Sequence, residues 1–236
     1  MSGRRALAGA QIATWLRGGA GGRVVAPGRR PKEPLVLYEF EACPFCRRVR
    51  EAISRLDLEV LVRPCPKGGQ RYREEVEGLG GREQFPFLID PNTGVQMYES
   101  AEIVTYLHRE YGTTAPPLSG RAGPIRTALL VASGLGRGAA GSRARASRSP
   151  AVPLVVSGFE AQPASRLVRE VLCELELAHL LRPAAPGSAR RDGPALDPNA
   201  QALPHLFDPN TGSGRSGWRA IVRHLEENYA FAPKPR

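Results

Sequence analysis

Short apolar runs and helically spaced apolar positions alternate along the chain from residue 35 onward. Leu35-Val36-Leu37-Tyr38 is a compact apolar run of the kind a buried strand carries. A turn around Glu41–Cys43 leads to Pro44, a favourable first-turn helix residue. Val49, Ala52, Ile53 and Leu56 then recur at helical spacing. Leu58–Val62 reads as a second strand, so the segment predicts a βαβ unit with parallel strands. After the loop Pro64–Gly69, a charged helix over Arg71–Leu79 ends at Gly80-Gly81. Phe87–Ile89 is a third strand, Asp90–Gly94 a tight turn and Val95–Tyr98 an antiparallel return. Ser100 is placed to cap a last helix, running to Tyr111 with Ile103, Val104 and Leu107 inward. The predicted order is β-α-β-α-β-β-α.

The same pattern then occurs again. LVLYEFEACPFCRRVRE (residues 35–51) recurs as LVVSGFEAQPASRLVRE (residues 154–170), with 10 of 17 positions identical at an offset of 119. FPFLIDPNTG (85–94) recurs as LPHLFDPNTG (203–212), with 7 of 10 identical at an offset of 118. An internal repeat of this length sets the domain organisation: two α/β units, 34–112 and 151–232, joined by a linker over 113–150. The first copy carries Cys43 and Cys46; the second has Gln162 and Ser165 there.

Charge follows the same division. The net charge is +10, but residues 1–32 hold seven basic side chains and no acid, and 113–150 hold six and no acid. Basic tails around mildly acidic units are expected, so nucleic acid, which is usually met by a basic folded face, is not an expected partner. The linker, rich in Gly, Ala, Ser, Pro and Arg, reads as flexible, and residues 1–33 as a disordered basic segment. The Arg- and Ala-rich, acid-free composition of that segment suits an organelle transit peptide, although hydroxyl residues are few. No apolar run approaches the 18 or so residues of a membrane span.

Cys43-Pro44-Phe45-Cys46 is the candidate chemistry. At a helix start, the Cys43 sulfur faces unpaired amides and the positive end of the helix dipole, which favour the attacking thiolate. Arg47 and Arg48 are expected to add to this. Cys46, one turn on, can reach Cys43. Cys43 is therefore expected to be the nucleophile and Cys46 the resolving thiol. Half of a zinc site looks the same, but Cys65, Cys173 and the four histidines supply no paired ligands, so no metal is expected. Cys65 reads as a third redox thiol, a glutathionylation site or an incidental residue, and Cys173 as core.

With Phe85-Pro86 and Glu99-Ser100, these features resemble the thioredoxin-like fold, and more narrowly glutaredoxins and the N-terminal domain of glutathione S-transferases. The resemblance implies a cis Phe85–Pro86 bond, Phe85 pairing with the cysteine backbone of glutathione, and Glu99 and Ser100 holding its γ-glutamyl end. It makes glutathione the co-substrate and protein disulfides the targets. The tandem arrangement is similar to a family of plant, algal and cyanobacterial proteins, which implies a chloroplast stroma location; cytoplasmic and mitochondrial locations are the alternatives. The sequence departs from dithiol glutaredoxins in placing Glu39 and Glu41 just before Cys43. These acids are expected to repel the glycine carboxylate of glutathione and raise the Cys43 pKa. It also lacks the all-helical second domain of glutathione transferases.

In the second copy Gly217-Trp218 replaces Glu99-Ser100, and Ser165 has no evident base. That copy is expected to be non-catalytic, supporting the first or binding a partner protein. The leading function is a glutaredoxin-like thiol–disulfide oxidoreductase. Alternatives are a glutathione- or protein-binding module, an iron–sulfur cluster held between protomers through Cys43, or a transferase or isomerase.

Overall fold

The computed structural model describes residues 3–117, 128, 131, 140–191 and 202–231. The elements are α1 (Gly3–Trp15), β1 (Leu35–Glu39), α2 (Pro44–Leu56), β2 (Val60–Pro64), α3 (Arg73–Gly80), β3 (Phe87–Asp90), β4 (Val95–Met97) and α4 (Ser100–Tyr111). The second copy supplies β5 (Leu154–Gly158), α5 (Pro163–Glu174), β6 (His179–Pro183), β7 (His205–Asp208), β8 (Ser213–Ser216) and α6 (Trp218–Tyr229). The mixed α/β architecture is thioredoxin-like, as expected. The second copy's counterpart of α3 falls outside the described residues.

The two copies are not separate beads. Their strands form one eight-stranded sheet in the order β4-β3-β1-β2-β6-β5-β7-β8. Within each copy a parallel pair (β1–β2, β5–β6) is flanked by an antiparallel one (β1–β3, β5–β7). The copies join where β2 pairs antiparallel with β6, Val60 opposite Leu181, Leu61 opposite Leu180 and Val62 opposite His179. Leu61 and Leu180 are the same position in the repeat, so a pseudo-two-fold axis passes through that pair. One apolar core cluster contains side chains of both copies, from Leu35, Ile53 and Val60 to Leu154, Leu172 and Leu181.

The repeated polar residues explain the seam. In the first copy's frame, Arg50 Nε donates to Glu160 Oε2 at 2.9 Å; across the axis Arg169 Nε donates to Glu41 Oε2 at 2.9 Å. Arg47 lies 3.2 Å from Glu51, and Arg166 lies 3.4 Å from Glu170. The residues that leave α2 and α5, Asp57 and Glu176, both adopt positive φ, 56° and 49°. The other copy's arginine bonds each carbonyl: Arg190 to Asp57 O at 2.8 Å and Arg71 to Glu176 O at 3.0 Å. The contact is isologous in outline, with these interactions made once on each side of the axis. The FEA-x-P-x-x-R-x-V-R-E repeat is thus an interface code.

The repeated turn is a second such device. Tyr106 and Tyr111 hydroxyls donate to Asp90 Oδ2, and His224 and Tyr229 meet Asp208 Oδ2 in the same way. Asn92 and Asn210 tie these turns to the strand entries at Glu33 and Val152.

Two expectations are corrected. Residues 3–33 are not disordered: α1 packs on α5, Ala10 is fully buried, and Arg17 forms a bidentate pair with Glu51 (3.0 and 2.6 Å) in the interior. A removable leader would take that guanidinium with it. The end of the linker, residues 140–150, is held as well, since Lys67 N–H donates to Ser142 O, Ala144 N–H to Lys67 O, and Arg145 pairs with Glu226. Nearly all of residues 118–139 lie outside the described residues. The basic residues expected in solvated tails are in part the counter-charges of the folded units.

Candidate functional site

Cys43 caps α2 with extended backbone (φ −71°, ψ 119°), and Pro44 opens the helix. The Cys46 N–H donates to Cys43 Sγ at 3.2 Å. Both thiols are free and buried, at 4% and 0% exposure. Their proton affinities diverge. Hydrogen bonding from the Cys46 thiol, against the opposing effect of burial, together with the Cys46 amide and the charge of Arg50, holds Cys43 below the ordinary thiol value. Burial pushes Cys46 well above it, and the Cys43 contact adds to that. The two thiols are thus set apart, Cys43 the more readily ionised and Cys46 the one that keeps its proton.

The other predicted residues converge beside it. Phe85, Pro86, Glu99 and Ser100 line a cleft of about 110 Å³ with Phe45, the exposed residue between the two cysteines, and with Gln84. Phe85–Pro86 is cis, as the resemblance implied. Phe85 stands edge-on to Phe40 and beneath the Arg73 guanidinium. Glu99 sits at φ 65°, an unusual value for a residue with a Cβ, and its Oε1 accepts from Gln84 Nε2 at 2.7 Å. Ser100 is the first residue of α4, whose amides open towards this cleft end. Local rules place these groups: a helix start, a turn out of β4 and a strand entry all reach one end of the sheet.

Several electrostatic expectations change. Ser100 is not the cap; Glu99 holds that position without a side-chain bond, and Ser100 Oγ instead accepts from Arg48 at 3.2 Å. Arg47 serves Glu51 and Glu160, so the nearby positive charge that lowers Cys43 comes from Arg50. Glu39 and Glu41 are buried in the seam, where Arg50 bonds Glu39, and Arg169 bonds Glu41. They do not present carboxylates to an incoming ligand. Glu39 does raise the Cys43 pKa, as expected, but the balance at Cys43 is still downward. Cys65 is fully buried and its thiol is pushed up by burial, which removes it as a ready nucleophile. Cys173 lies in the core seam, its thiol likewise raised by burial.

The second copy fills its own site. Ser165 Oγ donates to Gln162 Oε1 at 2.5 Å, and Gln162 Nε2 donates to the Leu203 carbonyl at 3.1 Å, just before the second cis bond, Leu203–Pro204. The backbone carbonyl that corresponds to that of Phe85 is therefore taken internally. Trp218 occupies the Ser100 position and packs against the core.

Sequence reasoning missed Gln84, gave Arg50 no role beyond the repeat, and read Glu39 as a neighbour of the ligand rather than as a seam residue. A signal existed for Arg50: two arginines and a glutamate repeat in a helix whose neighbours are apolar, a placement that demands buried partners. Among the described residues no cluster of three metal-ligating side chains is present.

The family model for the glutathione S-transferase N-terminal domain matches residues 37–117, which contain both thiols and the whole cleft. A solved Bombyx mori glutathione transferase, BmGSTD1, is 27% identical over 36% of this chain and 39% of its own, with a TM-score of 0.31. The chain thus spans well under half the length of that transferase. No curated protein matches.

Proposed function

We propose that the chain is a glutathione-linked thiol–disulfide oxidoreductase, with Cys43 as nucleophile, Cys46 as resolving thiol and the second copy as a non-catalytic support. The observation that carries this is the joining of a lowered Cys43 to the cleft of Phe85, Pro86, Glu99 and Ser100 in one copy, set against the loss of both thiols and the Glu-Ser pair in the other. The Cys43 thiolate attacks a glutathione–protein disulfide and becomes a mixed disulfide; Cys46 or a second glutathione releases it. Glutathione lies in the cleft with its cysteine backbone against Phe85 and its γ-glutamyl carboxylate at Ser100 and the α4 amides.

The described residues after the linker form a second α/β unit rather than an all-helical one, which favours disulfide exchange over conjugation of apolar electrophiles. Reduction of a peptide–glutathione mixed disulfide, coupled to glutathione regeneration, is the test. Turnover that vanishes in Cys43→Ser with folding retained is expected. Turnover surviving that change overturns the reading.

A further inference from the structure

The repeat reaches further back than β1 and β5. Val25 N–H donates to Arg55 O at 2.8 Å, and Arg145 N–H donates to Glu174 O at 2.7 Å. Gly28 N–H donates to Tyr111 O at 2.7 Å, and Arg148 N–H to Tyr229 O at 2.8 Å. Each copy is thus crossed by an arm of the chain that precedes it, and the two arms compare residue by residue. In the second copy Arg145 stands between two carboxylates, 3.0 Å from Glu174 of α5 and 2.6 Å from Glu226 of α6. The first copy inverts both outer signs. Glu174 corresponds to Arg55 on α2 and Glu226 to His108 on α4, while Arg145 corresponds to the uncharged Val25. The second copy carries its own counter-charge here; the first has a guanidinium and an imidazole with no counter-charge at the matching place in the arm.

A cavity of about 30 Å³ lies there, with Arg48, Glu51 and Arg55 of α2, His108 of α4, and Ala20 and Gly21 of the arm among its lining residues. Arg55 Nε and His108 Nε2 are buried and have no hydrogen-bond partner among the described residues. His108 is 2% exposed, and its Nδ1 is engaged by Thr114 O at 3.1 Å, which leaves Nε2 over. Buried orphans of this kind call for a partner that the protein itself does not supply. Glu51, the one carboxylate among the described lining residues, is bonded by both Arg17 and Arg47. Positive charge is therefore in excess. Burial, with Arg17 adding to it, holds the Arg48 guanidinium below its ordinary value. Burial, with Arg55 adding to it and the Thr114 carbonyl opposing, holds His108 below its ordinary 6.5. A single buried water needs about 10–15 Å³ of such space. The cavity thus admits a monatomic anion or a pair of waters, and excludes phosphate and sulfate.

We propose that this cavity binds a small anion of the halide class, with chloride as the common member, held by Arg55 and His108 and closing the first copy's charges as Arg145 closes the second's. The anion accepts from Arg55 Nε–H and from His108 Nε2, which takes up a proton on binding. Binding is therefore linked to proton uptake and tightens as pH falls. The charged groups around His108 are Arg48, Glu51 and Arg55 from α2, with Arg17 of the arm held on Glu51. On α4 itself Arg109 lies over the Tyr106 ring and Glu110 pairs with Arg29. The site does not rest on the thiol reading, but it adjoins it: Arg48 donates to Ser100 Oγ at 3.2 Å, which puts the anion behind the cleft of Phe85 and Ser100.

Thermal midpoints of the full chain in sodium chloride and in sodium gluconate at equal ionic strength test this, because gluconate is too large to enter. At pH 6 the midpoint is expected to rise with chloride along a saturating curve. The apparent affinity is expected to fall about ten-fold or more by pH 8. His108→Gln, which keeps a donor but takes up no proton, is expected to remove that pH dependence. The triple variant Val25→Arg, Arg55→Glu, His108→Glu rebuilds the second copy's arrangement and is expected to fold with no chloride dependence. Crystals grown in sodium bromide are expected to show an anomalous scattering peak within hydrogen-bond distance of Arg55 Nε and His108 Nε2. Equal midpoints in chloride and gluconate at pH 6 overturn the proposal, as does a cavity that holds only water in the bromide crystals. A chloride dependence that persists in the triple variant, or a pH dependence that survives His108→Gln, overturns it too. If the triple variant fails to fold, the bromide crystals of the unsubstituted chain decide. Inactivity towards glutathione mixed disulfides overturns the proposed function alone and leaves the anion site standing.

Discussion

Ser54 and Cys173 do the same work on opposite sides of the pseudo-two-fold axis. Ser54 Oγ accepts from the Glu160 N–H at 3.0 Å, and Cys173 Sγ accepts from the Glu41 N–H at 3.4 Å. Each fixes the backbone of the glutamate that crosses the seam. Cys173 also donates to Gly141 O at 3.2 Å. Cys173→Ser is therefore expected to leave the thermal midpoint nearly unchanged. Cys173→Val and Ser54→Val strand a buried amide and are expected to cost about 1–3 kcal/mol each. Urea denaturation of the three variants checks this.

The seam makes a prediction about coupling. Arg50→Met or Arg169→Met leaves carboxylates buried without their partner, at a cost of about 3–5 kcal/mol. Adding Glu160→Gln to Arg50→Met removes part of the uncompensated charge. The double variant is expected to be more stable than the sum of single losses allows, as measured by a double-mutant cycle.

Acid and base should act on stability through different groups. Burial alone would raise the Glu160 carboxyl, but Arg169, Arg50 and Arg47 outweigh it and hold it at about 2, below its ordinary 4.5. Its contribution is complete above pH 4.5 and is lost as pH falls towards 2. Burial lowers His179 to about 4, so its contribution is complete above its ordinary 6.5 and is lost as pH falls through 4. Glu39 runs the other way. Raised to about 7, it binds a proton in the folded chain that the unfolded chain has released, so its contribution is complete below about 4.5 and lost as pH rises through 7. Glu39→Gln is expected to flatten the fall in thermal midpoint between pH 5 and pH 8, read by scanning calorimetry; an unaltered fall contradicts the assignment.

Ser100→Trp copies the second copy's residue into the first copy's cleft. It is expected to raise the KM for glutathione substrates at least about ten-fold, the order of one lost charge-assisted contact set. The rate of Cys43 alkylation by a small reagent should hold, because Ser100 does not touch that thiol. Steady-state kinetics and alkylation rates separate the two effects.

Deleting residues 1–33 removes Arg17 from Glu51 and α1 from α5. A loss on the order of 3–5 kcal/mol is expected, the scale of a broken buried ion pair. Chemical denaturation of the truncated chain measures it, and a stability equal to the full chain's would show that the segment is dispensable.

Much of this was readable from the sequence. The strands, the helix starts at Pro44 and Ser100, and the shared cleft of Phe85, Pro86, Glu99 and Ser100 followed from local rules and from the resemblance. What escaped was long-range charge. Arg50 and Glu41 look like surface residues until a second copy stands opposite, because a helix read alone does not show which of its faces another helix will cover. The N-terminal segment was misread for the same reason: Arg17 has no acid near it in sequence, and its partner Glu51 lies 34 residues on. Glu39 was taken as a repulsive neighbour of the ligand because its partner Arg50, 11 residues on, meets it only once α2 has packed back on β1.

The pairing of β2 with β6 settles which backbone the chain leaves open. An isolated unit would offer β2 as a bare edge, a template for other chains. Here each unit's inner edge is spent on the other. The strands that remain at the rims, Val95–Met97 and Ser213–Ser216, are three and four residues long. Fusion of the copies thus acts as protection against strand-to-strand aggregation, and a partner that docks has side chains and helices to grip rather than an unsatisfied ladder.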